Sequence, residues 1–191
     1  MKIRYNAPTT LTFSLVSFAV LLLSATIFPG LTTGWFSTPA PFHPNSAQDY
    51  IKLFTHPLGH ASIEHFISNF GFILLLGPIL ELTYGSISML IMILATSLVT
   101  GLLNAILFPN TILLGASGIV FMMILLASFT NFNKGEVPLT FILVMVLYLG
   151  KEVFNAVANR DQISQFAHII GGLVGAFFGF IKPSGTKRIS A

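Results

Sequence analysis

The sequence predicts an all-α membrane protein: a polytopic bundle of six transmembrane helices with one long outer connection. Three observations lead there. Of 191 residues only 8% are charged, nine Lys/Arg and six Asp/Glu, where a soluble domain of this length carries roughly 25%. No charged residue occurs between Arg4 and Asp49, between Glu81 and Lys134, or between Asp161 and Lys182. Mean hydropathy is +0.85, and nineteen Phe with sixteen Gly suit helices that pack closely in a bilayer. The same numbers exclude other classes. Without any Cys there is no disulfide, thiol nucleophile or thiolate metal site, and the dispersed basic residues behind the net charge of +3 form no stripe for nucleic acid.

A span needs about 20 mostly apolar residues, and six windows satisfy or approach that: Thr10–Phe28, Ser62–Leu82, Ser86–Phe108, Ala116–Asn131, Val137–Lys151 and Ser164–Ile181. The first follows Lys2-Ile3-Arg4 and so begins like a signal peptide. Its apolar part, however, exceeds the usual ~7–15 residues and no small-residue cleavage site follows, so it is read as helix one. The third and fourth windows form one charge-free stretch, which Pro109 divides because it lacks an amide donor and its ring opposes a continuing helix. The fourth and fifth windows are short. Between the first two lies the one long connection, residues 29–61, with five prolines and the aromatics Trp35, Phe36, Phe42 and Tyr50, which are suited to the membrane interface.

Six spans place both termini on one side. With the termini inside, Lys2, Arg4, Lys134, Lys182, Lys187 and Arg188 are cytoplasmic against Lys52, Lys151 and Arg160 outside; six against three follows the positive-inside rule. The chain thus reads as an inner N-terminus (1–9), one helical domain (10–181) and a basic cytoplasmic tail (182–191) in the cytoplasmic membrane. No internal repeat or second domain is evident.

Polar groups inside lipid are costly, so each asks for a partner or a job. Four stand out: His65, Asn69, Ser117 and His168. Singly, each has a bland reading, such as a small residue at a helix crossing or a hydrogen bond between helices. Together they coincide in depth. Counted at 1.5 Å per residue from the outer boundaries, they lie ~8 to ~13 Å down, delivered by three separate helices. His65 and Asn69 share one helix face. Below His168 the face reads Gly171, Gly172, Gly175 and Gly179, a strip that lets another backbone approach, and Gly115, Ala116 and Gly118 flank Ser117 equally lightly. A Ser hydroxyl attacks a carbonyl once a neutral imidazole takes its proton. Ser117 and His168 fit those roles as a dyad, and the Asn69 amide, the His65 imidazole and the Ser117 backbone amide are available to an oxyanion. His56 and His60 are expected to line a polar mouth that admits water from outside.

These residues resemble a known family. The run from His60 through His65 to Asn69, then Gly115-Ala116-Ser117-Gly118, then Ala167-His168-Ile169-Ile170-Gly171 are similar to the signatures of the rhomboid intramembrane serine proteases, over roughly residues 50–181. The resemblance implies a bacterial-type six-helix core, Ser117 as nucleophile, His168 as base, and His65 and Asn69 around the oxyanion. It implies no metal or cofactor, and single-span membrane proteins as substrates in the lipid bilayer. Three positions depart from the family pattern: Ile51-Lys52 replaces Trp-Arg, Glu81-Leu82 replaces Glu-Arg, and Phe121 replaces the Tyr one turn after the nucleophile. Phe121 still offers a face to His168 but no hydroxyl. The alternative is a rhomboid-like protein that binds membrane helices without cutting them; a small transporter would show inverted repeats with midplane charges, which are not found here. Substrate identity and oligomeric state are not legible.

Overall fold

In lipid every backbone amide and carbonyl needs an internal partner, so charge-free runs fold as helices. The computed structural model describes residues 3–129, 139–150 and 162–181 and, among them, contains helices and no strand. In chain order these are α1 (Pro8–Thr26), α2 (Leu31–Trp35), α3 (Ala47–Thr55), α4 (Ile63–Tyr84), α5 (Ser86–Leu107), α6 (Ser117–Ala127), α7 (Leu139–Val144) and α8 (Gln162–Ile181). A 3₁₀ turn, His56–Leu58, follows α3, and a π-helical stretch, Met145–Leu149, follows α7.

Helix α1 starts with a proline in its first turn, where a missing amide costs nothing. Its first free amides are satisfied from another helix. The Thr9 amide donates to Glu81 Oε1 at 2.8 Å, and the Thr10 amide and hydroxyl donate to Glu81 Oε2 at 2.9 and 2.8 Å. Glu81 lies in the last turn of α4, whose own start is capped by Ser62, accepting the His65 amide at 3.2 Å. Gly85, at φ 85°, takes a backbone region that other residues avoid, and it alone separates α4 from α5. Helix α5 stops just before Phe108-Pro109, where the proline was expected to break the run.

By length and apolarity α1, α4 and α5 can each cross a membrane. Helix α6 cannot do so alone: its 11 residues rise about 16 Å against a hydrocarbon core of about 30 Å. It is instead enclosed by protein, with every residue from Gly118 to Leu126 buried. Around it pack Phe70, Ile73 and Leu80 of α4 and Met89, Met92 and Ile93 of α5. Against α8 the approach is backbone to backbone. A Cβ on Gly171 would overlap the Gly118 carbonyl, one on Gly175 the Met122 carbonyl, and one on Gly179 the Phe129 ring. The glycine strip expected from spacing is therefore the seam between α6 and α8.

The long connection expected from the sequence contains regular structure of its own: α2, α3 and the 3₁₀ turn. Ser46 caps α3 by accepting the Asp49 amide at 3.3 Å, and the Asp49 carboxylate accepts the His43 amide at 2.8 Å and pairs with its ring at 3.1 Å. Burial by itself raises the Asp49 carboxyl, but the bonds from His43 and Ser46 hold it below its ordinary range. Trp35 and Tyr50 stay half exposed, whereas Phe36 covers Gly59. Lys134, Arg160, the boundaries of the fifth window at 137 and 151, and the tail 182–191 lie outside the described residues.

Candidate active site

The chain reaches Ser117 through a tight turn. Gly115 has φ 104°, a conformation L side chains rarely adopt, and it lies flat against His65: a Cβ there would sit 2.6 Å from the ring's Cε1. Two hydrogen bonds hold this turn to the outer connection. The Gly115 amide donates to the His56 carbonyl at 3.1 Å, and the Ala116 amide to His60 Nε2 at 3.4 Å. Ser117 is then the first residue of α6, so its backbone amide is one of those that the helix itself leaves without a partner, at the end where the helix dipole favours negative charge.

His168 comes to the same place from α8. Gly118 lies under the α8 backbone, where a Cβ would come within 3.3 Å of the Ala167 carbonyl oxygen. The His168 ring stacks on Phe121, centroids 4.4 Å apart and planes 5° from parallel. His65 is near enough to His168 for the two imidazoles to interact electrostatically. Asn69 is buried one turn below His65, with its Nδ2 donating to the His65 carbonyl at 3.0 Å; its second amide hydrogen is not used in that bond. Of the groups expected from sequence to meet, Gly115 in the turn before Ser117 lies against the His65 ring, and Gly118 lies under the α8 backbone at Ala167, the residue before His168.

The two remaining histidines correct the sequence reading. His56 and His60 are buried more deeply than a mouth open to the outside would leave them, each being only 2% exposed. His60 packs at 5.0 Å from His65 and edge-on to Phe66 and Phe70. Burial, then repulsion from His65, lowers its pKa to about 4; burial lowers His56 likewise to about 4. Both are neutral at pH 7, and because His60 Nε2 accepts the Ala116 amide, its proton sits on Nδ1. Their placement braces the turn before Ser117.

The sequence reading missed Thr100. Its hydroxyl lies 3.4 Å from His56 Nε2, and the two residues line a cleft of ≈ 10 Å³ together with Gly115, Ser117 and Ala167, room for about one water molecule. The signal was present: Thr96, Thr100 and Asn104 recur every fourth residue of a charge-free span and are all buried, hence on one inward face.

A family model described as the Rhomboid domain matches residues 47–184. Rhomboid-related protein 2 of Mus musculus is 26% identical over 163 residues, which cover 78% of this chain and 54% of that protein. Rhomboid-related protein 1 of Caenorhabditis elegans is 33% identical over 134 residues, 64% of this chain and 37% of that protein. The chain thus spans about half the length of the first relative and just over a third of the second.

Proposed function

Because this chain belongs to the rhomboid family of membrane proteins, we propose that it is an intramembrane serine endopeptidase, cutting single-span membrane proteins in or beside their helix through a Ser117–His168 dyad. The observation that carries the reading is the seam between α6 and α8: Ser117 opens one helix, His168 stands on the other, and glycine lets the two backbones touch between them. In this reading the His168 imidazole takes the Ser117 proton as Oγ attacks the substrate carbonyl, then gives it to the leaving amine. The negative charge that develops is met by the Ser117 amide at the helix start, by His65 and by the free amide hydrogen of Asn69. A carboxylate is not needed to orient the imidazole, because the Phe121 face fixes its plane. The water that releases the acyl group fits the small cleft behind Ser117, beside Thr100 and His56.

A peptide bond inside a helix is shielded, so the substrate unwinds locally at the cut, which favours small or helix-breaking residues there. Both termini are assigned to the cytoplasmic side and the active-site mouth to the outer side by the distribution of Lys and Arg. The alternative is a helix-binding protein without activity. The test is incubation of the purified protein in liposomes with a panel of single-span substrates, with mass spectrometry of the fragments, alongside labelling by a fluorophosphonate. Cleavage together with labelling at Ser117 supports the proposal; neither, in a folded protein, rejects it.

A further inference from the structure

Helices α1 and α5 begin side by side, joined by the Thr9 hydroxyl, which donates to the Ser86 carbonyl at 3.0 Å. They do not close on each other along their length. A groove of ≈ 390 Å³ lies between them, walled by Thr12, Phe13 and Val16 of α1 and by Leu90 and Ile93 of α5, with Leu58 of the 3₁₀ turn at its far end. Thr9, Thr12, Phe13 and Val16 stand at i, i+3, i+4 and i+7, and Ser86, Leu90 and Ile93 at i, i+4 and i+7, so each wall is a single helix face. Val16 and Leu90 are 42% and 43% exposed. The groove therefore opens sideways, to lipid.

Its width decides what can lie there. Spread over the rise of about 12 Å from Pro8 to Val16, that volume leaves a channel about 6 Å across, whereas a helix with its side chains needs about 10–12 Å. A substrate helix or a second copy of this chain does not seat in it; a single hydrocarbon chain does. Lipid tails are apolar alike and leucine-like, so selection among lipids falls to the residues at the open end. Arg4 is exposed, four residues before Pro8. Its neighbour Tyr5 is drawn along α1 until the hydroxyl meets Thr12 Oγ1 at 2.9 Å, which lays this segment beside the groove. Glu81, close by, is 4% exposed and engages Thr9 and Thr10 with both oxygens. The open end thus presents a guanidinium, a group whose planar fork matches phosphate.

We propose that this groove binds one anionic glycerophospholipid from the leaflet that holds the start of α1. One acyl chain lies between α1 and α5 with its end against Leu58, the second stays in the bilayer, and the phosphate pairs with Arg4. The site lies outside the proposed active site yet touches its support. Leu58 ends the 3₁₀ turn that begins at His56, and the His56 carbonyl accepts the Gly115 amide at 3.1 Å. An acyl chain under Leu58 thus backs the segment that holds the turn before Ser117. Binding of the lipid is independent of the proteolytic reading.

The test takes the full chain, purified in detergent and stripped of lipid, and titrates it with phosphatidylglycerol or phosphatidylcholine of equal chain length. Native mass spectrometry should show one phosphatidylglycerol retained, about fivefold more tightly than phosphatidylcholine, the ratio expected of one basic side chain near a phosphate surface. Arg4→Gln should abolish that preference and leave the Tm of the lipid-free protein unchanged. Leu90→Trp fills the groove and should weaken retention of both lipids at least tenfold; Val16→Trp does the same from the opposite wall if the first variant folds poorly. In the parent, phosphatidylglycerol carrying a diazirine at its acyl end should crosslink to residues 56–58 or 90–93. Equal retention of the two lipids, parental retention in both Trp variants, or crosslinks scattered over every lipid-facing helix would mean annular lipid only and overturns the site. If the lipid is retained and crosslinked as described but no substrate is cut and no fluorophosphonate labels Ser117, the proteolytic reading fails and the lipid site stands.

Discussion

His168 lies flat on Phe121, the ring planes 5° from parallel and the centroids 4.4 Å apart. The stack joins α8 to the second turn of α6, one turn below Ser117. Aromatic pairs of this kind contribute about 0.5–1.5 kcal/mol beyond the area they bury. Phe121→Ala frees the imidazole to rotate and is expected to lower kcat about tenfold, with KM little changed; Phe121→Tyr keeps the face and should retain near-parental turnover. Equal losses in both variants would mean that the face is not what positions His168.

The dyad itself predicts a larger effect. Ser117→Ala or His168→Ala removes a proton-transfer partner, and the loss of cleavage is expected to reach ~10⁴-fold or more in proteins that still fold. Fluorophosphonate labelling of Ser117 should also require His168. Normal turnover in either variant would reject the assignment of that residue.

The oxyanion face and the glycine seam separate in a melting experiment. Asn69→Ala removes a donor needed only transiently, lowering turnover by up to about 10²–10³ with little change in Tm. Gly171→Val and Gly175→Val drive a branched side chain into the Gly118 and Met122 carbonyls; overpacking of that kind costs about 1–3 kcal/mol, so these variants should melt clearly below the parent as well as lose activity. A Gly175→Val protein with full stability would contradict the observed seam.

Acid should destabilise the fold through its buried histidines. His56 and His60 titrate at about 4 in the folded chain against an ordinary 6.5. Between those values the unfolded chain binds more protons than the folded one, so stability is full above about pH 6.5 and falls as pH drops towards 4. Tm in detergent, measured across that window, is expected to decline, and His56→Gln should flatten the slope. A Tm that rises on acidification would show the sign to be wrong.

Orientation in the membrane is testable cleanly because the chain has no Cys. Cysteine at Ser46 or Asp161 should react with an impermeant thiol reagent added outside intact cells, and cysteine at Lys134 or Ser190 should not. Asp161, Lys134 and Ser190 lie outside the described residues, so their sidedness rests on the charge distribution alone. The reverse pattern would invert the proposed topology.

The membrane helices were legible because lipid imposes a single rule on backbone and side chains alike, and runs without charge are readable by eye. Ser117, His168, His65 and Asn69 were visible for the same reason, as polar residues where polarity is expensive. Thr100 escaped notice because a threonine in a membrane helix is ordinary: its hydroxyl donates to the Thr96 carbonyl at 2.7 Å and so raises no alarm. The depth of His56 and His60 was not legible. It depends on close approaches at Gly59, which touches Phe36, and at Gly101, which lies against Leu53 and His56, contacts that only the tertiary fold creates. Helix α3 was announced by Ser46 and Asp49, three residues apart as in a capping motif, but its prolines on either side made a loop the easier reading.

The bonds from Thr9 and Thr10 to Glu81 join residues 72 and 71 positions apart, and they impose an order on biogenesis. At synthesis rates of about 5–20 residues per second, the start of α1 leaves the ribosome about 4–14 s before its partner carboxylate exists. Throughout that interval α1 enters the membrane with its first amides held only by water. The latch closes when α4 has been made to its last turn, so α1 is made well before it can be docked. A nascent chain arrested before Glu81 would hold α1 in lipid but unfastened, and the translocon or a membrane chaperone would meet it in that state.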